Sequence, residues 1–100
     1  MEISIKTKNV TIDGDLKEFV SEKVSSLERF LDKPETLLAE VELSKTTEHH
    51  NKGDIFRAEV QIEVPGKLLR AESTREDLKI AIVEVKDQLQ IQIKKYQETR

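Results

Sequence analysis

Glu40, Glu42, Glu59 and Glu63 are the nearest thing in this chain to the paired carboxylates of an acid/base site. Such chemistry needs one carboxyl pushed up in pKa by burial or by a like charge. Each glutamate alternates with apolar residues, so all four share one flat, wetted strand face with no pocket behind it. A solvated sheet face is the simpler reading. His49-His50 is the one histidine cluster, but adjacent residues in an extended segment point to opposite sides and do not converge on a metal. The chain has no cysteine, no Gly-rich phosphate loop and no Ser/His/Asp spacing. No catalytic residue, metal or cofactor is expected.

Cationic side chains offer a different chemistry. Lys17, Lys23, Arg29 and Lys33 surround an apolar stripe in one segment. Arg75, Lys79 and Lys86 fall on one flank of a second segment, with Lys94 and Lys95 near its end. Long cations on a rigid helix are what phosphate contacts require, and they are also the ordinary wetted side of an amphipathic helix. Net charge is −3, which speaks against nucleic acid only if that charge is spread evenly. Residues 34–74 hold eight acidic against five basic side chains, whereas residues 16–33 hold four of each and residues 75–100 six basic against five acidic. The excess acidity therefore lies between the two basic segments.

The elements that position these residues follow from periodicity. One hundred residues make a single domain, 1–100, with no repeats or linkers. Residues 2–7 alternate as a strand with Ile3 and Ile5 on one face, and Val10 and Ile12 continue the alternation to Asp13. Asp13 is placed to cap a first helix, whose stripe is Leu16, Phe19, Val20, Val24, Leu27 and Leu31 with Phe30 beside it. Pro34 should stop that helix. Strands follow at 37–47, with Ala39, Val41 and Leu43 inward, and from Phe56 to Val64, with Ala58, Val60 and Ile62 inward. Asn51-Lys52-Gly53-Asp54 reads as the turn between them. Pro65-Gly66 suits a type II turn into a fourth strand, 67–73, with Leu69 and Ala71 inward.

A second helix should start with Ser73 or Thr74 as cap and Glu76 and Asp77 at its positive end. Leu78, Ala81, Ile82, Val85, Leu89, Ile93 and Tyr96 form its core stripe. The expected fold is α+β: β-α-β-β-β-α, a four-stranded sheet with both helices on one face and the other face fully polar. Ile80, Val83 and Ile91 fall opposite the core stripe. They are either scattered surface apolars or an interface, with another copy of this chain as a weak homodimer or with a different partner. No apolar run is long enough to span a membrane, and the first residues, Met1 to Lys6, lack the apolar block of a signal peptide. The expected compartment is the cytoplasm.

The whole chain from Ile3 to about Tyr96 resembles the short ribosome hibernation factors, the protein Y or ribosomal subunit interface protein family. The likeness rests on Leu16-Lys17-Glu18-Phe19-Val20, Lys23, Leu27-Glu28 and Phe30 to Lys33 in the first helix. In the second it rests on Asp77-Leu78, Ala81-Ile82, Asp87, Leu89 and Gln92, and between them on the strand phrase Phe56 to Ala71 with its Pro-Gly turn. The resemblance implies a fold similar to a double-stranded-RNA-binding domain with an added strand. It implies binding to the small ribosomal subunit and its rRNA between head and body, where messenger and transfer RNAs would sit, so that translation is inhibited. By position the implied rRNA contacts are Lys17, Lys23, Lys33 and Lys95; Arg29, Lys86 and Lys94 are added on physical grounds. The chain departs from the family where Lys79 stands for a tyrosine, Val83 for an aspartate, Gln88 for a lysine and Ile91 for an arginine. Two cations are thereby missing from the second helix. The dimerisation domain of the long members is expected to be absent.

Overall fold

The computed structural model describes residues 1–46, 53 and 55–99. His49, His50 and the Asn51 to Asp54 turn lie outside the described residues, save Gly53, whose φ of +109° is the left-handed backbone a glycine accommodates.

Four strands form one mixed sheet in the order β1 (Glu2–Lys8), β2 (Leu38–Lys45), β3 (Phe56–Val64) and β4 (Lys67–Arg75). β1 runs parallel to β2, with Ile5 opposite Val41, and β2, β3 and β4 form an antiparallel meander. Gly66, with φ at +80°, makes the tight β3–β4 turn beside Pro65. Period-2 alternation decides which face is buried: Ala39, Val41, Leu43, Ala58, Val60, Ile62, Leu69 and Ala71 point to the core. Both helices, α1 (Gly14–Ser25) and α2 (Leu78–Glu98), cover this face, α2 packing on β3 and β4 and α1 lying against α2 and β1. Every residue assigned to the second helix's core stripe is buried, as are Val20, Val24, Leu27 and Leu31 on the first. Neither helix is long and apolar enough to cross a membrane.

Three local expectations are corrected. The first helix does not run to Pro34. It tightens to 3₁₀ at Ser26–Phe30, where the Ser26 hydroxyl donates to the Lys23 carbonyl at 2.6 Å, and Pro34 instead opens a separate 3₁₀ turn, Pro34–Thr36. The second helix is capped by Asp77, not Ser73 or Thr74: its carboxylate accepts from the Lys79 amide at 2.7 Å. Ser73 and Thr74 stay in β4 because the ladder to β3 continues through Ala58 and Arg57 to Phe56. The outer sheet face is not fully polar either, since Leu38 and Leu68 lie on it 40% and 51% exposed.

Side-chain bonds tie α2 down along its length. The Tyr96 hydroxyl donates to the Pro65 carbonyl at 2.7 Å, and the Gln97 amide donates to the Phe30 carbonyl at 3.1 Å. Gln92 takes both backbone groups of Arg70 on the outer edge of β4, donating to its carbonyl at 2.8 Å and accepting from its amide at 3.2 Å. It stands where a fifth strand would pair. Gln92→Ala should lower stability by about 1 kcal/mol, read as a lower urea midpoint at unchanged m-value. Gln88→Ala, on a side chain that makes no such bond, should leave the midpoint alone. Equal midpoints for the two variants would show that the edge loses nothing when water replaces the amide.

Candidate nucleic-acid interface

Charged groups on the two faces of the molecule are used differently. On the outer sheet face, Arg57 reaches Glu42 at 3.8 Å, Glu59 at 3.2 Å and also Glu72. Arg70 joins Glu59 and, at 2.9 Å, Glu72, while the Gln61 amide donates to Glu40 at 2.7 Å. The arginines of this face are thus consumed by its own carboxylates. Burial works to lower the pKa of Arg57, but its hydrogen bonds to and the charges of Glu72 and Glu59 outweigh it, so the net shift is upward. The hydrogen bond and charge of Arg57 hold Glu72 below the usual carboxylate range. A depressed carboxyl pKa contributes stability above the ordinary value near 4.5 and loses it as pH falls through the lowered one. The stability gap between the parent and Glu72→Gln at neutral pH should therefore close as pH falls through the lowered pKa. A gap that persists once the carboxyl is protonated would remove the Arg57 pair as its cause. A lowered pKa on a half-exposed carboxylate is the opposite of what a general acid needs.

The helical layer differs because most of its cations have no ion-pair partner among the described residues. Its acidic and basic residues are nearly balanced, so it is not a basic patch by net charge. Yet Lys17, Lys23, Arg29, Lys33, Lys79, Lys94 and Lys95 form no ion pair among the described residues. Lys86 alone of this group is bonded, to Asp87 at 2.5 Å. Arg75 is corrected: it lies in β4, paired with Glu84 and, at 3.5 Å, Glu76, and is not on the helix flank with Lys79.

These residues do not form one cluster. Lys23 and Lys86 border the groove between α1 and α2. Arg29 stacks over the Phe30 ring, 4.7 Å from its centroid, at the far end of the same groove, and Lys33 follows with φ at +49°. By the helical step of about 100° per residue, Lys17 falls on the flank of α1 turned away from α2. Lys95 falls on the β4 side of α2 with Gln92, and Lys94 on the outer side. Lys79 was not among the positions expected to contact RNA. Its ammonium lies 5.4 Å from the centroid of the Phe19 ring, and the Lys23 ammonium lies 5.3 Å from the same centroid. Position 79 had registered as one of the flank cations and as a departure from a tyrosine, and no sequence spacing links it to Phe19.

The outer stripe of α2 is narrower than expected. Ile80 and Ile91 are 38% and 65% exposed, but Val83 is half-buried and packs against the core, because its angular position leans into the groove beside α1.

Residues 3–100 match the family described as Sigma 54 modulation protein / S30EA ribosomal protein. The chain is 35% identical over 89 residues to the ribosome hibernation promotion factor of Deinococcus radiodurans, covering 89% of this chain and 45% of that protein. It is 30% identical over 98 residues to the ribosome hibernation promotion factor of Lactococcus lactis subsp. cremoris, covering 96% and 49% respectively. It spans about half the length of these relatives. Among solved structures, the N-terminal domain of Thermus thermophilus protein Y superposes with a TM-score of 0.80 at 32% identity, over 96% of this chain and 99% of that one. A ribosomal subunit interface protein from Coxiella burnetii shares the fold, with a TM-score of 0.76 at 19% identity, over 98% and 99%. With strand order, helix placement and the match over residues 3–100 in agreement, the chain belongs to the Sigma 54 modulation protein / S30EA ribosomal protein family.

Proposed function

We propose that this chain is a non-catalytic ribosome-binding factor of the cytoplasm. It lodges in the small subunit between head and body, occludes the channel for messenger and transfer RNA, and inhibits translation during dormancy. The observation that carries this reading is the match over nearly the whole chain to a family whose relatives are named for ribosome hibernation. The unpaired cations of the helical layer supply the chemistry, because contact with rRNA phosphates releases condensed counterions and needs ammonium groups not already neutralised. The opposite face, with its arginines held by Glu42, Glu59 and Glu72, is unsuited to that task. Cosedimentation with small subunits at low and high salt tests the proposal. Association at micromolar protein that weakens with salt is expected. No salt-sensitive association would end it.

A second reading rests on Ile80 and Ile91, exposed on the outer side of α2: a weak homodimer of helix against helix. Two such side chains contribute only a few kcal/mol at about 25 cal/mol per Å², and association costs offset much of that. A dissociation constant of roughly micromolar or weaker is expected. Ile80→Ala with Ile91→Arg should abolish the dimer without lowering monomer stability, as read by sedimentation equilibrium. A parent that stays monomeric well above micromolar concentration removes this reading.

A further inference from the structure

We infer that the open edge of β1 is a homodimer surface, on which a second copy of this chain lays its own β1 antiparallel and continues the sheet. The inference goes beyond the ribosomal reading and does not depend on it. The two edges of the sheet are finished differently. On the outer edge of β4, Gln92 occupies both backbone groups of Arg70. β1 is the opposite edge, and pairing with β2 sets which of its backbone groups are used. Glu2 lies opposite Leu38 and its amide donates to the Leu37 carbonyl at 3.0 Å, so Glu2, Ser4, Lys6 and Lys8 direct their N–H and C=O groups to β2. Those of Ile3, Ile5 and Thr7 point the other way. Among the described residues no hydrogen bond reaches them, and such a row is a template for another strand. The chain turns out of the strand at Asn9, whose φ is +59°, and Val10 and Ile12 then pack against the core.

The strand is complementary to its own reverse. A twofold axis at Ile5 sets Ile5 against its copy, Ile3 against the partner's Thr7, Ser4 against the partner's Lys6 and Glu2 against the partner's Lys8. Ile3, Ile5 and Thr7 then exchange N–H and C=O groups across the seam. Glu2 meets the partner's Lys8 in a close, non-hydrogen-bonded pair, which the symmetry repeats at the other end. Moving the axis to Thr7 would set Lys6 against the partner's Lys8 on both sides, and moving it to Ile3 would shorten the seam and leave both lysines without a partner. Charge therefore selects one register. The axis stands perpendicular to the sheet, so the core-facing sides of the two copies align. Ile3 and Ile5 are only half-buried by their own chain, whereas Ala39 and Val41 beside them are 0% and 2% exposed. Across the axis these isoleucines gain apolar neighbours. Seven residues at about 3.3 Å each make a short seam, so the dimer is weak, with a dissociation constant of roughly 100 micromolar.

Sedimentation equilibrium on the whole chain and a charge-swap series test the seam. Glu2 and Lys8 are exposed and make no ion pair among the described residues, so exchanging their charges leaves the monomer's contacts alone. Glu2→Lys and Lys8→Glu should each raise the dissociation constant roughly tenfold, since an attractive pair becomes a repulsive one at both ends. The double variant, Glu2→Lys with Lys8→Glu, should return it to within about threefold of the parent. Thr7→Pro removes an N–H that β2 does not use, a position an edge strand tolerates, and should abolish the dimer while a thermal melt shows the monomer folded. Amide exchange at Ile3, Ile5 and Thr7 should slow as protein concentration rises. Ile80→Ala with Ile91→Arg should change none of this, which distinguishes the strand seam from a helix-to-helix dimer. A parent still monomeric at about 1 mM, a double swap no tighter than the single variants, or a dimer lost in the Ile80/Ile91 variant overturns the inference.

Discussion

Val60→Asp should cost about 3 kcal/mol or more and leave the protein largely unfolded at modest urea. Val60 has no exposed surface and sits mid-sheet, opposite Val41 on one side and Ala71 on the other, beneath the helices. Among the described residues no cation is buried with it, and Arg75, at the far end of β4, is already held by Glu84 and Glu76. The introduced group must either stay charged without a partner or take up a proton at neutral pH, and both are costly. A domain of this size has a total stability of roughly 5–15 kcal/mol, so the loss is a large share of it. Acid should partly restore the variant, since protonation then comes free. A melting temperature close to the parent's would mean that the strand faces the other way.

Reversing two groove cations should have the largest effect on the proposed activity. Lys23→Glu with Lys86→Glu is expected to leave the fold intact and to weaken small-subunit association by roughly tenfold or more at low salt, with a flatter salt slope. Lys23 has no counterion to lose among the described residues. Lys86 is held by Asp87, so its reversal sets two carboxylates side by side on an exposed surface, a local repulsion that the fold tolerates. Cosedimentation together with a thermal melt separates weak binding from misfolding. Unchanged affinity in a folded variant would move the RNA contacts to Lys6, Lys8 and the segment near Lys52.

Strand phase and helix stripes were legible because burial imposes periods of 2 and 3.6 on apolar residues, and nearly every core position follows from those two periods. The misplaced boundaries have local causes. Ser73-Thr74 has the chemistry of a cap, but cross-strand pairing with Ala58 and Arg57 outweighs it, and Asp77 caps instead. Pro34 is a true helix breaker, yet the turn had already tightened at Ser26 through a hydroxyl bonded to its own backbone. The interface was the least legible part. Which lysines are free depends on where the carboxylates of other elements fall, and the approach of Lys79 to Phe19 joins residues from two helices separated by three strands. Nothing in either segment read alone carries that contact.

The parallel pairing of β1 with β2 has a consequence for the order in which the molecule assembles. Residue 5 must find residue 41 across the whole of α1, whereas residue 60 finds residue 71 across one tight turn. By chain entropy the longer closure costs about 1 kcal/mol more, and pairings of that kind form late. The meander and α2 therefore make a platform first, and β1 with α1 docks on it afterwards. The same hierarchy runs in reverse during partial opening. Amides of β1 should exchange with solvent well before those of β3, and equal protection of the two strands would contradict the order. Because α1 brings Phe19 and Lys23 to the groove, a chain opened in this way keeps most of its core and lacks one wall of its cationic surface.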